Sequence, residues 1–449
     1  PRAHVTCPPQ RGVLAGFGGC GMKRPAASED SAKKRPAASK DSAKKRPAAS
    51  EDSAQPAKRP AAAESGPAEL PLEDAPHFVE LTPEAKARRL ELVAEGGPIV
   101  QLLIGDAIGD AFGLGIEMQD AFWIRKHVAF PPRCWPDSAE APNGAPVTRR
   151  GMYSDDCEMT VGLMRALAAE GAALDSAGML RAWRDEWELA GRRRVGHGTI
   201  RFHWAGEMSI EDVRRIQAGR EVPGNAPPMR SLPLLFIGDA DRDRLCAANA
   251  DSTHPHPQTR AASLVTAAAA RWLVVSKGER SQVIAESLVA LRKSPLGDGK
   301  TEEHLGALEA LPDWHTYGKR FADMPKDVHA LLCGPQPNPN LSGLKCGSPP
   351  GVIHGLGSDA MRTAGIVLYI VKWSQGPLDA LAAAVDVGGD VDSTAALVLG
   401  MIGGSTGLAL GEEGGVPPFL VWELEGVEYL VARARAFEAW LMEQGLWQR

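Results

Sequence analysis

Residues 261–275 read AASLVTAAAARWLVV. Apolar side chains recur there at three- and four-residue spacing, and alanine fills most of the positions between, so the stretch predicts a helix. It is apolar most of the way round, which places it at the centre of a bundle rather than on a surface. The same spacing returns in 85–93, 159–169, 283–291, 361–373, 378–385, 395–402 and 419–441, whereas strand-like alternation is scarce. These runs predict one all-α domain over roughly residues 85–445.

What precedes that domain differs from it in composition. Lys23 to Lys33 reads KRPAASEDSAK, near copies follow at 34–44 and 45–55, and a degraded fourth begins at Lys58. An eleven-residue period can mark a coiled coil, but each copy carries an interior proline and no large apolar residue to bury. The segment 1–80 is therefore expected to be a disordered low-complexity tail. Its Lys-Lys-Arg-Pro steps could act as a nuclear address or touch a polyanion.

Over the whole 449 residues the net charge is -6, which argues against a nucleic-acid coat. Seven cysteines show no zinc-like spacing, so reduced thiols and an intracellular setting, cytoplasmic or nuclear, are expected. The chain does not begin with Met, which leaves a targeting peptide open. The longest apolar stretch noted, 264–275, is too short to span a bilayer and contains Arg271, so no membrane partner is expected.

Chemistry concentrates in two acidic clusters far apart in the chain. The first is Tyr153-Ser154-Asp155-Asp156-Cys157-Glu158, and the second is Gly388-Gly389-Asp390-Val391-Asp392-Ser393-Thr394. Each is placed to open a helix, where one side chain suffices as a cap and acids suit the dipole. The first cluster exceeds that need. Carboxylates packed together repel unless neutralised, and an oxygen-only set suits a hard divalent cation, magnesium or manganese.

Other segments carry weaker signals. In Gly105-Asp106-Ala107-Ile108-Gly109-Asp110-Ala111-Phe112-Gly113, small residues every four positions let two helices approach closely; no Lys-Ser/Thr follows, which excludes a P-loop. Glu117 beyond it could bind a water or polarise a substrate. Gly196-His197-Gly198, Gly224-Asn225 and Thr253-His254 lie in loops that could contact a ligand. The pair His254 and His256 lacks a third matching ligand for zinc. Asp390-x-Asp392-x-Thr394 also has the form of a haloacid dehalogenase-like phosphatase loop, with Asp390 as nucleophile, but that loop should follow a buried strand.

In order and spacing these motifs resemble the ADP-ribosylglycohydrolase family over roughly residues 95–410. The family's G-D-A-L-G-x-x-x-E is matched by Gly109 to Gly113 and Glu117, its T-D-D-T by Ser154 to Cys157, and its G-G-D-T-D-[ST] by Gly388 to Ser393. Its G-x-G loop, G-N-G turn and T-H signature fall on Gly196 to Gly198, Gly224-Asn225 and Thr253-His254. The resemblance implies an orthogonal multi-helix bundle around two magnesium ions. It makes Ser154, Asp155, Asp156, Asp390, Asp392 and Ser393 the metal ligands and Glu117, Asp155, Asp156 and Asp392 the catalytic set. Gly196, Gly198, Gly224, Asn225 and His254 would bind substrate. The implied activity is hydrolysis of the bond between ADP-ribose and an acceptor, on a modified protein or a small molecule, by a monomer. A member that binds ADP-ribose without turnover is the alternative. Cys157 and Glu158 depart from the family pattern, and Glu158 adds charge near the expected metals. The prolines 227 and 228 stiffen the 224–230 turn.

Overall fold

A computed structural model of the chain describes residues 81–136, 148–318, 320–338 and 353–448. Two units are separable, Pro1–Glu69 and Leu70–Arg449. The first lies outside the described residues, and with it the repeats and the tail expected over 1–80.

The second unit is helical. Its elements begin with α1 (Pro83–Ala94), α2 (Gly97–Leu114), α3 (Ala121–His127), α4 (Asp155–Glu170), α5 (Ser176–Leu189) and α6 (Ile200–Trp204). Next come α7 (Ile210–Ala218), α8 (Ala226–Met229), α9 (Asp239–Thr253), α10 (Pro257–Val274), α11 (Val283–Lys293) and α12 (Gly299–Glu309). The series ends with α13 (Lys326–Cys333), α14 (Ala360–Trp373), α15 (Pro377–Asp386), α16 (Val391–Thr406), α17 (Pro418–Trp422) and α18 (Val427–Glu443). No strand occurs among the described residues; there are three isolated bridges, two of them at Gly389. The chain is all-α, as its periodicity predicts.

Local chemistry explains where the helices begin. The 261–275 run lies in α10, which opens with Pro257 in its first turn and His256 Nδ1 accepting from Gln258 N. Helix α14 starts where Asp359 Oδ1 accepts from Arg362 N at 3.2 Å. One expectation fails: the run 419–441 is two helices, α17 and α18. Gly426 sits at φ +70°, which the α-helix cannot use, and Glu425 N donates to Gly151 O at 2.9 Å, turning the chain onto a neighbouring loop.

The centre of the bundle is the antiparallel pair α2 and α16. A methyl group added at Gly105 would overlap the carbonyl oxygen of Leu399, at Gly109 that of Ala395, and at Gly113 the Cα of Asp392. From the other side, Gly403 meets the carbonyl oxygen of Gln101 in the same way. The small-residue spacing thus does what it predicted: the two helices touch backbone to backbone. Their antiparallel run sets the last turns of α2 against the first turn of α16. Helix α2 is long and apolar enough to cross a bilayer, but here it is enclosed by protein, the setting of a core helix. Reduced thiols are found at Cys157, Cys246 and Cys333, all buried. Cys134 is disulfide-bonded, so the expectation of reduced thiols throughout does not hold.

Candidate active site

Three carboxylates meet where α2, α4 and α16 converge. Asp110, Asp156 and Asp392 are buried, and one ligand oxygen from each lies within 4.8 Å of the others. Asp110 was quoted in the glycine-rich motif without a role. In the structure it reaches across to the start of α4, accepting from Ser154 N at 2.8 Å and from Cys157 N at 3.0 Å. These two donors tie the first acidic cluster to α2, while Gly113 ties the second to the same helix. The small-residue crossing therefore joins two sequence segments more than 200 positions apart.

The electrostatics of this cluster are unfavourable without a cation. Burial, with hydrogen bonds from the Cys157 and Ser154 amides opposing it, moves the Asp110 carboxyl up to about 6. Burial and then the neighbouring Asp110, Asp155 and Asp390 push Asp156 well above the carboxylate range. Asp392 is raised in the same way, by burial and then by Glu117 and Asp390. Asp156 Oδ1 and Asp392 Oδ1 are buried with no hydrogen-bond partner among the described residues. Three converging acids, two of them with an unpaired buried oxygen, are the donor set of a hard divalent cation, and the residues fit such an ion. Its charge would draw these carboxyls back to their ionised form.

Asp156 and Asp392 of this cluster line a cleft of about 350 Å³, within the size range of small-molecule sites. Glu117, Asp155, Asp390 and Ser393 line the same cleft beside Asp156 and Asp392. Ser154 lies beneath it: its Oγ accepts from Asp156 N and donates to Asp156 Oδ2 at 3.2 Å, so it caps α4 and braces the Asp156 carboxylate. Asp155 is raised to about 7, by burial first, against the lowering influence of His197. Glu117 stands at the end of α2, close enough to raise both Asp155 and Asp392.

Asp390 sits on a short backbone crossing. Gly389 N donates to Gln119 O at 2.8 Å, Asp390 N donates to Leu356 O at 2.9 Å, and Met118 N donates to Gly389 O at 2.7 Å. Gly389 has φ +75° with the Leu356 carbonyl where a Cβ would stand, so only glycine fits between these two segments. The element before Asp390 is α15, with isolated bridges at Gly389 and no strand, which removes the structural basis of the phosphatase-like reading.

The other wall comes from the loops. Gly196, Gly198, Gly224, Asn225 and His254 all line the cleft, together with Arg201 and Arg220. Asn225 is more than a ligand contact: its Nδ2 donates to Asp390 Oδ2 at 3.2 Å and to Thr363 Oγ1 at 3.3 Å. Asn225→Leu keeps the bulk and removes the donor. It is expected to lower turnover roughly 10- to 100-fold, the usual effect of losing a group that orients a ligand carboxylate. Steady-state kinetics on a variant with unchanged circular dichroism checks this, and unchanged turnover would mean that the Asp390 bond is idle.

Arg230, at the end of the turn that opens with Gly224-Asn225, is a buried cation lining the cleft. Its guanidinium lies 3.7 Å from the Trp183 ring centroid and donates to Asn249 Oδ1 at 2.7 Å and Thr253 Oγ1 at 2.8 Å. Burial lowers it to about 9. Thr253 Oγ1 in turn meets His254 Nδ1 at 2.8 Å, and burial with Arg230 and Arg220 holds His254 down to about 3, a neutral ring at physiological pH. The His254/His256 pair does not converge on a metal: His256 caps α10 instead.

Glu158 belongs to neither end of the cleft. Its side chain is 2 % exposed and meets His197 Nε2 at 2.6 Å, with Arg194 and Glu425 in the surrounding field. Burial raises it to about 8. Two residues along a helix are about 200° apart in direction, so Glu158 turns away from the side on which Asp156 meets Asp110 and Asp392.

The family model described as ADP-ribosylglycohydrolase matches residues 98–447. Among solved structures, the chain is similar to an "ADP-ribosylglycohydrolase-related protein complex" at 20% identity with a TM-score of 0.49, over 77% of this chain and 98% of that one. No curated protein matches the chain.

Proposed function

Because the chain belongs to the ADP-ribosylglycohydrolase family and is by that membership a hydrolase of ADP-ribose linkages, we propose that it frees ADP-ribose from a protein side chain or a small molecule with magnesium as its cofactor. The observation that carries the magnesium reading is the trio Asp110, Asp156 and Asp392, buried and converging, with one oxygen each of Asp156 and Asp392 lacking a hydrogen bond.

Asp110, Asp156 and Asp392 would hold the cation, with Asp155, Asp390 and Ser393 beside them in the cleft. When bound, a divalent ion supplies Lewis acidity and a template that orients substrate oxygens. The remaining chemistry falls to groups of this chain. Asp155 and Glu117 face the space where a ribose would sit and accept hydrogen bonds from its hydroxyls and from water. As the water oxygen bonds to the anomeric carbon, one of these carboxylates takes the proton. The bond from that carbon to the acceptor breaks, and the acceptor leaves with its electron pair and a proton. Arg201 and Arg220, across the cleft from the acids, suit the phosphates of the ligand.

Two measurements test this reading. Purified protein is expected to release free ADP-ribose from ADP-ribosylated protein in magnesium and to lose that activity in a chelator. Undiminished release in the chelator would remove the cation from the mechanism. Magnesium at one hundred times its dissociation constant should also stabilise the fold by about 2.7 kcal/mol, read as a rise in melting temperature. A panel of arginine-, serine- and acetyl-linked substrates identifies the acceptor. Tight ADP-ribose binding with no hydrolysis of any of them would favour a binding protein instead.

A further inference from the structure

The loop 195–199 forms one wall of the cleft, yet it contributes no helix and little apolar surface of its own. It is fixed to the first turns of α4 at three points. Asp155 N donates to Val195 O at 3.0 Å. Gly196, at φ +105°, lies so close to the Asp155 carboxylate that a Cβ would overlap Oδ1. The third point is His197 Nε2 against Glu158 Oε2 at 2.6 Å, a distance that requires a proton between them.

That third tie is built deeply. Both side chains are 2 % exposed. The His197 ring stands edge-on to Trp204 at 5.2 Å and to Trp187 at 6.1 Å between centroids, so its orientation is set by packing on one side and by a carboxylate on the other. The bond links a residue that turns away from the acidic cluster to the loop that touches Asp155 from the front. Asp155 is thereby held between its own helix and a loop clamped to that helix one turn further on.

We propose that Glu158 and His197 are positioning residues, which clamp the loop 195–199 against α4 and so fix the Asp155 carboxylate and the ligand-facing backbone of Gly196 and Gly198. Glu158 is not among the residues that line the cleft, whereas His197 lines it together with Gly196 and Gly198, so the clamp acts from behind the wall through Glu158. Its effect on the ligand rests on the ADP-ribose reading of the cleft; its effect on the loop does not.

The test uses the full chain with Glu158→Met, which fills similar space without a carboxylate, and Glu158→Gln, whose amide can still bond His197. In Glu158→Met, amide hydrogen exchange across 195–199 is expected to speed up, and ADP-ribose affinity and KM to weaken roughly 10- to 100-fold. The magnesium-dependent rise in melting temperature should stay as in the wild type. Glu158→Gln should restore most of the loss, and adding His197→Leu to Glu158→Met should cost little more than either change alone. Unchanged exchange in 195–199 overturns the clamp, whatever the ligand proves to be. Loss of the magnesium response overturns it too, by placing Glu158 in the metal site. If Glu158→Met does not fold, His197→Leu carries the exchange measurement with the same expected outcome; its affinity is not used, because His197 itself lines the cleft. Wild-type protein that binds no ADP-ribose would refute the ligand reading and leave the exchange result to decide the clamp.

Discussion

Asp392→Asn is expected to abolish measurable ADP-ribose release while raising the melting temperature of the cation-free protein. The two effects have one cause. Asp392 is buried beside Asp110 and Asp156 and pushed well above the carboxylate range by burial and by its acidic neighbours. An amide of the same shape removes that repulsion, and a gain of about 0.5–2 kcal/mol is the usual size of one stabilising substitution. The same amide carries no charge for a cation, so the magnesium-dependent stabilisation should vanish. A loss of roughly 10²–10³-fold in kcat is the scale of removing one electrostatic contact to a transition state, and losing the ion would add to it. Melting curves with and without magnesium, alongside the release assay, separate the outcomes. Full activity, or an unchanged magnesium response, would exclude Asp392 from the site.

Gly109→Ala is expected to destabilise the fold severely, although alanine is the better helix former by about 1 kcal/mol. The added methyl would sit on the carbonyl oxygen of Ala395 and close to the backbone nitrogen of Ala396. Backbone cannot move aside as a side chain can, so α2 and α16 must separate along their length. Overpacking of a core commonly costs about 1–3 kcal/mol and more where nothing yields, which outweighs the propensity gain. Gly306 supplies the control. It lies inside α12 with nothing within 4 Å of where its Cβ would be, so Gly306→Ala should stabilise by about 1 kcal/mol. Denaturant unfolding of both variants decides the matter. Equal, small effects would mean that the helices are not in contact as described.

Much of this was legible in the chain itself, for physical reasons that also explain the gaps. The apolar period of 361–373 anticipated α14 closely because the helix is buried along most of its length. The break at Gly426 was hidden because the apolar spacing continues across it, and only the contact with Gly151 makes the turn necessary. Among the acids, Asp155, Asp156, Asp390 and Asp392 do line one cleft. Asp110 falls in the motif matched at Gly109 to Gly113, but its place beside Asp156 and Asp392 was hidden because a helix interior of small residues does not say what it faces. The role of Glu158 stays open in the sequence, where it adjoins the acidic cluster, and the structure turns it toward His197 instead. Arg230 falls in the 224–230 turn matched to the family, but its burial was hidden, since its partners Trp183, Asn249 and Thr253 come from two other helices.

The contact between α2 and α16 also bears on how this protein can vary over generations. Glycine and alanine codons differ at a single base, so the smallest genetic step at Gly105, Gly109, Gly113 or Gly403 adds a methyl group where backbone already stands. At most core positions a neighbour can repack around such a change, and a compensating mutation nearby can restore the fit. Here the neighbour is main chain, which no substitution can make smaller. These four positions are therefore closed to gradual exploration, and a lineage must alter its catalytic cleft through the loops that face it.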